Sequence, residues 1–324
     1  MIQFDFSRIA DAHSRLSPHI VRTPLLNSPM LDKVAGCELF VKSESLQKTN
    51  SFKFRGALNM ILQLPPEKLK TGVVAYSSGN HGQGVAAAAR LAGTPAVIVL
   101  PTNAAAVKVE SCRWWGAPII TYDQATESRD TVAQRFIEAG MTLIPPFDDH
   151  AIIAGQGTAG LEMCEQLIER RVNPDIVIAP CSGGGLAAGV VTAVHHYFPN
   201  AEFYIAEPQG YNKMGRSLLG GVRVENEHEA RTIMDALIAR APGVRPYEIL
   251  RKHAALGLSI SDEESLAGVA AGFRYLKLVL EPAGAAALAC AFTKKVDLQD
   301  KKVAILCSGG NVDSATFCKA LNQI

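Results

Sequence analysis

From residue 72 onward, short runs of β-branched and apolar residues alternate with longer, alanine-rich stretches. The short runs read as strands at 72–76, 96–100, 118–122, 175–179, 203–207 and 302–307. Between them, 85–91, 124–139, 157–170, 186–197, 262–278 and 314–322 carry helical composition or a 3.6-residue apolar repeat. Continuously apolar strands separated by helices predict parallel strands with crossover helices on both faces. We therefore expect an α/β fold of two open, mostly parallel twisted sheets with flanking helices. A smaller unit over 72–147 is expected as an insertion in a larger one built from 1–71 and 148–324. Pro145-Pro146 and a turn at Gly155-Gln156-Gly157 would mark the return.

Composition narrows the partners. The 324 residues are 48% hydrophobic and 19% charged with a formal net charge of +1, enough apolar content for a large core. Lys and Arg are scattered, so neither nucleic acid nor an anionic membrane is the expected partner. No run approaches the roughly 18 apolar residues of a membrane span, and Met1 to Phe6 contain no basic or apolar leader, so a cytoplasmic location is expected. Seven irregularly spaced cysteines suit reduced, buried thiols better than a disulfide framework or a metal cluster. A small molecule remains as the partner.

Three glycine-rich turns follow expected strands, at 77–84, 181–185 and 308–310, where open α/β sheets bind ligands. In Pro180-Cys181-Ser182-Gly183-Gly184-Gly185-Leu186, consecutive glycines before a helix let backbone N–H groups converge on a phosphate, although a tight turn without a ligand uses the same residues. No G-x-G-x-x-G follows an early strand, which argues against a dinucleotide. Ser77-Ser78-Gly79-Asn80-His81-Gly82-Gln83-Gly84 opens a helix and offers donors to a carboxylate, or simply caps that helix. Ser308 in Ser308-Gly309-Gly310-Asn311 ends a buried strand, where its hydroxyl suits a heteroaromatic nitrogen or a helix cap. Lys53 lies in Thr49-Asn50-Ser51-Phe52-Lys53-Phe54-Arg55-Gly56-Ala57, with a potential capping serine two places before it. A desolvated lysine loses pKa and becomes a base or a Schiff-base nucleophile. The alternative is that Phe52 and Phe54 face inward while Lys53 and Arg55 face solvent.

Together with Ala154-Gly155-Gln156-Gly157-Thr158 and Glu281-Pro282-Ala283-Gly284-Ala285, these segments, in this order and over nearly the whole chain, resemble the pyridoxal-phosphate enzymes of the threonine/serine dehydratase and serine racemase family, fold type II, similar to the tryptophan synthase β chain. The resemblance implies a pyridoxal 5'-phosphate-binding larger unit and a substrate-binding smaller one. It implies that Lys53 forms the Schiff base and that Ser182, Gly183, Gly184, Gly185 and Leu186 hold the phosphate. Ser308 and Gly309 would meet the pyridine nitrogen, Phe52 the ring, and Asn80 the 3'-oxygen. Ser77, Ser78, Gly79, Asn80 and His81 would bind the substrate carboxylate, with Asp235 and Arg129 also at the substrate. Ser78 stands where racemizing relatives carry their second proton-exchanging group. Ala236 replaces a glycine usual near the ring, and Pro145 a frequent histidine.

Relatives bind Mg or Mn through a glutamate and an aspartate. Glu207 matches the first, but Lys213 stands at the second, so its ammonium is expected to replace the cation; otherwise Asn212 and backbone carbonyls would complete a site on Glu207. The implied activity is a hydroxy-amino-acid ammonia-lyase acting on L-threonine and L-serine, as a homodimer. Because the chain ends near Ile324, no C-terminal regulatory domain and no isoleucine feedback are expected. Serine racemization, 3-hydroxyaspartate dehydration and non-catalytic binding of the cofactor or an amino acid are the alternatives.

Overall fold

A computed structural model describes residues 4–322 apart from 78, 105, 124 and 227–230. Along the chain the strands are β1 (Leu25–Leu26), β2 (Glu38–Ser43), β3 (Val73–Tyr76), β4 (Ala96–Pro101) and β5 (Ile119–Tyr122). They continue as β6 (Thr142–Leu143), β7 (Ile176–Pro180), β8 (Glu202–Pro208), β9 (Leu256–Ile260) and β10 (Lys302–Cys307). The first seven helices are α1 (Phe6–Leu16), α2 (Pro29–Ala35), α3 (Lys53–Ile61), α4 (Pro66–Thr71), α5 (Asn80–Ala92), α6 (Ala106–Trp114) and α7 (Arg129–Glu138). The others are α8 (His150–Glu169), α9 (Gly185–Tyr197), α10 (Lys213–Gly220), α11 (Val244–Lys252), α12 (Asp262–Ala271), α13 (Ala286–Phe292) and α14 (Ser314–Leu321).

Two sheets result, a six-stranded one in the order β1-β2-β10-β7-β8-β9 and a four-stranded one in the order β5-β4-β3-β6. Every pairing is parallel except that of the two-residue β1 with β2. Strand period two sends alternate residues to opposite faces. Val177, Ala179, Phe203, Ile205, Ala304 and Leu306 therefore pack under α8, α9 and α11. Ile176, Ile178, Tyr204, Ala206, Val303 and Ile305 pack under α2, α12 and α13. Both faces of these strands are covered, which is why each reads as an unbroken apolar run. In the smaller sheet Val73, Ala75, Ile98 and Leu100 join residues of α3 and α5, while Val74 and Val99 face α7. Helix α3 thus packs against the smaller sheet although it precedes residue 72. Among the described residues no helix is long and apolar enough to cross a membrane. All seven cysteines are free thiols, and only Cys318 is exposed.

The structure corrects four expectations. Gly155-Gln156-Gly157 is no turn but lies inside α8. A Cβ on Gly155 would stand 2.6 Å from the Arg55 carbonyl oxygen, and one on Gly189 the same distance from the Cα of Gly157, so these glycines let α3, α8 and α9 approach closely. Helix α7 starts at Arg129 behind a Ser128 cap that accepts from the Asp130 N–H, rather than at 124. The helix expected over 262–278 ends at Ala271 and passes through a π-helical turn, Gly272–Leu276, to Lys277 in the left-handed region at φ 57. Ser51 does not cap α3, whose N-cap is Phe52; its own hydroxyl is buried without a protein partner.

Arg55 also fails to face solvent. It is fully buried, with Nε 2.7 Å from Glu44 and its two terminal nitrogens 2.7 and 2.8 Å from the two carboxylate oxygens of Glu162. Lys42, near the end of β2, adds its ammonium at 2.7 Å from Glu162 and donates to the Thr23 carbonyl oxygen and Gln166. Burial opposes the charged forms, but two acids facing two bases raise the Arg55 pKa and lower that of Glu162. This network clamps α3 onto β2 and α8.

Candidate active site

The lysine segment enters the site through backbone contacts with the other end of the chain. Phe52 N–H donates to the Ser308 carbonyl oxygen at 3.1 Å, Gly310 N–H donates to that of Asn50 at 2.9 Å, and Ser51 bridges Gly309. β10 lies beside β7 in the sheet, so the turn carrying Ser308 neighbours the glycine turn after β7. All three segments border a cavity of about 290 Å³. From the lysine segment Phe52 and Lys53 line it; from the loop after β3 and the start of α5, Ser77, Asn80 and His81 do so; Ser182, Gly183, Gly184, Gly185 and Leu186 come from the turn into α9, and Ser308 from β10. Arg129, Asp235 and Ala236 also line it, as do residues the sequence did not single out, among them Tyr76, Tyr122 and Phe147. Ser78 lies outside the described residues. Gly79 and Gly309 do not line it, and Pro146 rather than Pro145 reaches it.

The half-buried Lys53 donates from Nζ to the Pro146 carbonyl oxygen at 2.8 Å and lies 5.1 Å from the centre of the Phe52 ring. Among the described residues no carboxylate pairs with it, and burial pulls its pKa down to about 7. His81 is buried; its Nε2 donates to the Ile144 carbonyl oxygen at 2.8 Å, which leaves Nδ1 an unprotonated acceptor with no protein partner. Burial and the nearby Lys53 charge push His81 to about 3, so the ring is neutral at physiological pH.

Asn80 is held from both ends. Its Nδ2 donates to Glu281, and its Oδ1 accepts from Asn311 Nδ2 at 2.8 Å; the latter group also reaches Gln83 and the Thr49 carbonyl oxygen. Glu281 is buried, has an unpartnered Oε2, and is pushed by burial up to about 7. Lys108, on α6, pairs with Asp235 and crosses directly over Gly79, leaving no room there for a Cβ. The ion pair joins an element of the smaller sheet to one that follows β8. Arg129 lies 4.7 Å over the Tyr76 ring, and its nearest acid, Asp130, is 3.9 Å away.

At the glycine turn, Gly184 has φ +96, and a Cβ there would stand 2.5 Å from Met214 Cε. A Cβ on Gly185 would sit 2.9 Å from the Phe147 side chain, so the turn packs this closely against Phe147 and Met214 only because it is built of glycines. The N–H groups opening α9 have no intrahelical acceptor, and the helix dipole adds positive charge there. Ser182 Oγ accepts from the Ala239 N–H at 3.2 Å. Glu207, by contrast, lies away from the cavity in a fully buried ion pair with Lys213.

An anion cradle, a lone amine and a hydroxyl on one cavity match the three ends of a phosphorylated pyridine aldehyde. The residues fit pyridoxal 5'-phosphate: the first turn of α9 with Gly183, Gly184 and Gly185 for its phosphate, Lys53 for its aldehyde and Ser308 for its ring nitrogen. Glu281, Asn311 and Lys108 escaped the sequence reading. Glu281 and Asn311 stand in segments noted above without a role of their own, whereas Lys108 becomes a partner of the site only through packing.

Comparison with known proteins places the site in context. A family model described as "Pyridoxal-phosphate dependent enzyme" matches residues 16–309. The chain is 35% identical to an L-threo-3-hydroxyaspartate ammonia-lyase of Saccharomyces cerevisiae, over 99% of this chain and 98% of the relative. It is 37% identical to an L-threonine ammonia-lyase of Thermotoga maritima, over 97% of this chain and 77% of the relative. The solved structure of maize serine racemase superposes with a TM-score of 0.91 at 37% identity, covering 99% of this chain and 97% of that one.

Proposed function

From the chain's membership in the pyridoxal-phosphate-dependent enzymes of fold type II, whose relatives here are ammonia-lyases and racemases of small amino acids, we propose that it deaminates β-hydroxy amino acids, with L-threonine and L-serine as first substrates. The observation that carries this reading is the convergence of the Lys53 amine, the Ser308 hydroxyl and the α9 N-terminus on one cavity. When bound, the cofactor supplies an electron sink for the pair left as the Cα–H bond breaks.

The chain's own residues divide the rest of the work. Gly183, Gly184 and Gly185 offer backbone N–H groups to the phosphate, with Ser182 and Leu186 shaping the cradle. Phe52 and Asn80, the latter fixed between Glu281 and Asn311, would help to hold the cofactor ring. A carboxylate on the substrate meets Ser77 and the first turn of α5, which follows Gly79 and where the helix dipole favours negative charge. His81, being neutral, adds no charge of its own there. Lys53 Nζ, with a pKa near 7, takes up and returns a proton at Cα under neutral conditions. A serine rather than a carboxylate at the ring nitrogen does not hold that nitrogen protonated, which favours prompt departure of the β-hydroxyl. The balance is L-serine to pyruvate plus ammonia, or L-threonine to 2-oxobutanoate plus ammonia.

A second reading rests on Arg129. Its guanidinium lines the cavity, and among the described residues its ion-pair partner, Asp130, is at the limit of ion-pair distance, so it retains donors for a second substrate carboxylate, as in a 3-hydroxyaspartate. The test is ammonia release from L-serine, L-threonine and L-threo-3-hydroxyaspartate by purified holoenzyme, beside Lys53→Ala. The reading predicts a cofactor absorbance band and keto acid from at least one substrate, both lost in Lys53→Ala. Full keto-acid production by that variant would overturn it.

A further inference from the structure

We infer that Lys213 is a built-in substitute for the divalent cation that the resemblance implies beside Glu207, and that this enzyme needs no metal. Glu207 closes β8 and is fully buried, with every donor around it supplied by the chain. Lys213 Nζ approaches Oε1 at 3.0 Å and the Met214 N–H donates to the same oxygen at 3.1 Å, while the Gly215 N–H donates to Oε2 at 2.7 Å. The ammonium also donates to the Tyr211 carbonyl oxygen at 3.2 Å, taking one of the backbone oxygens a cation would want.

The charges decide the matter. One carboxylate and one ammonium, both with no solvent exposure, are neutral together. Adding a doubly charged ion would leave two uncompensated charges in the interior, which is prohibitive. Mg or Ca needs six or more oxygen ligands at about 2.0–2.6 Å. Among the described residues no group of three acidic, histidine or cysteine side chains is placed to hold a metal ion. The residues present do not fit a divalent cation, and the lysine is the reason.

The pair also reaches the active site. Glu207 fixes the backbone of Met214, whose side chain packs against Gly184 of the phosphate cradle, and that of Gly215, which abuts Gly257 of β9. Lys213 is thus a positioning residue for the glycine turn, in the place where a metal would otherwise tie β8 to the chain after it.

The holoenzyme as purified tests this directly. Elemental analysis should find far less than one Mg, Mn or Ca per chain. Melting temperature and cofactor absorbance should be the same with EDTA as with millimolar MgCl2 or MnCl2. One tightly bound metal per chain, or a melting temperature lowered by EDTA and restored by Mg2+, would overturn the inference. Lys213→Met, a neutral residue of similar length, strands the Glu207 carboxylate and should lower the melting temperature by roughly 5–15 °C and weaken cofactor retention. Adding Glu207→Gln should recover much of that loss. An unchanged melting temperature in Lys213→Met, or equal losses in the single and double variants, would show that the ammonium does not balance this carboxylate.

Discussion

Replacing Arg55 by methionine removes the guanidinium from a cluster in which Arg55, Glu44, Lys42 and Glu162 are at most 1% exposed. Four short ion-pair contacts disappear, and two buried carboxylates are left facing the single ammonium of Lys42. Breaking a buried pair by deleting one partner costs about 3–5 kcal/mol, mostly from the stranded charge. For a chain of this size that corresponds to a fall of roughly 6–20 °C in melting temperature. Arg55→Lys keeps the charge but loses the forked geometry, so it should cost less, about 1–3 kcal/mol.

The pH dependence of this loss has a definite sign. Burial alone would raise the Glu162 pKa, but Arg55 and Lys42 outweigh it and hold the carboxyl below its usual range. Its stabilising contribution is present above the ordinary carboxylate range and disappears as pH falls through the lowered pKa. The gap between wild type and Arg55→Met should therefore be widest at neutral pH and narrow toward pH 4, as the stranded acids protonate. Since Arg55 follows Lys53 by two residues on α3, cofactor occupancy should fall along with stability. Urea unfolding followed by circular dichroism, run from acid to neutral pH with parallel cofactor absorbance, measures both. A loss below about 1 kcal/mol at pH 7, or one that does not change with pH, would refute the reasoning.

Three further outcomes are expected. Glu281, pushed by burial up to about 7 from the usual 4.5, keeps a proton that the unfolded chain gives up between those values, so folding loses about 3 kcal/mol as pH rises through that window. Glu281→Gln, which cannot ionise, should therefore gain on wild type in melting temperature between pH 5 and pH 8, and a constant difference would contradict this. The apoenzyme should capture pyridoxal phosphate at a rate that rises with pH through about 7 and then levels, because burial has lowered the Lys53 pKa; a midpoint near 10 in stopped-flow absorbance would disprove it. Arg129→Ala should reduce kcat/KM for L-threo-3-hydroxyaspartate about tenfold, taking the low end for a half-exposed guanidinium, while L-serine changes less than about twofold. Equal losses on both substrates would remove Arg129 from substrate choice.

Strands covered on both faces were legible because burial leaves an unbroken apolar run, as in Val303 to Cys307. Others were hidden. β2 contains the buried Lys42, whose charge breaks the apolar pattern although three partners satisfy it in the fold. β9 is an edge strand, with Leu256 and Gly257 exposed. The glycines of α8 were misread because composition alone does not separate a residue needed for a positive φ from one needed for close helix packing. Most of the cavity lining was found through motifs. Lys108 was not, since a lysine on an ordinary helix becomes part of the site only when Asp235 arrives from the segment between β8 and β9.

The place of β10 in the larger sheet has a consequence for how the protein is made. β10, which follows every other described strand in the chain, is inserted between β2 and β7, and it brings the residues that bond Asn50 and Phe52. Until then the nascent chain has a gap in the middle of its sheet and an untethered lysine segment. Cofactor loading should wait until β10 has folded into place, and chains truncated before residue 302 should emerge as substrates for chaperones and proteases rather than as slow enzymes.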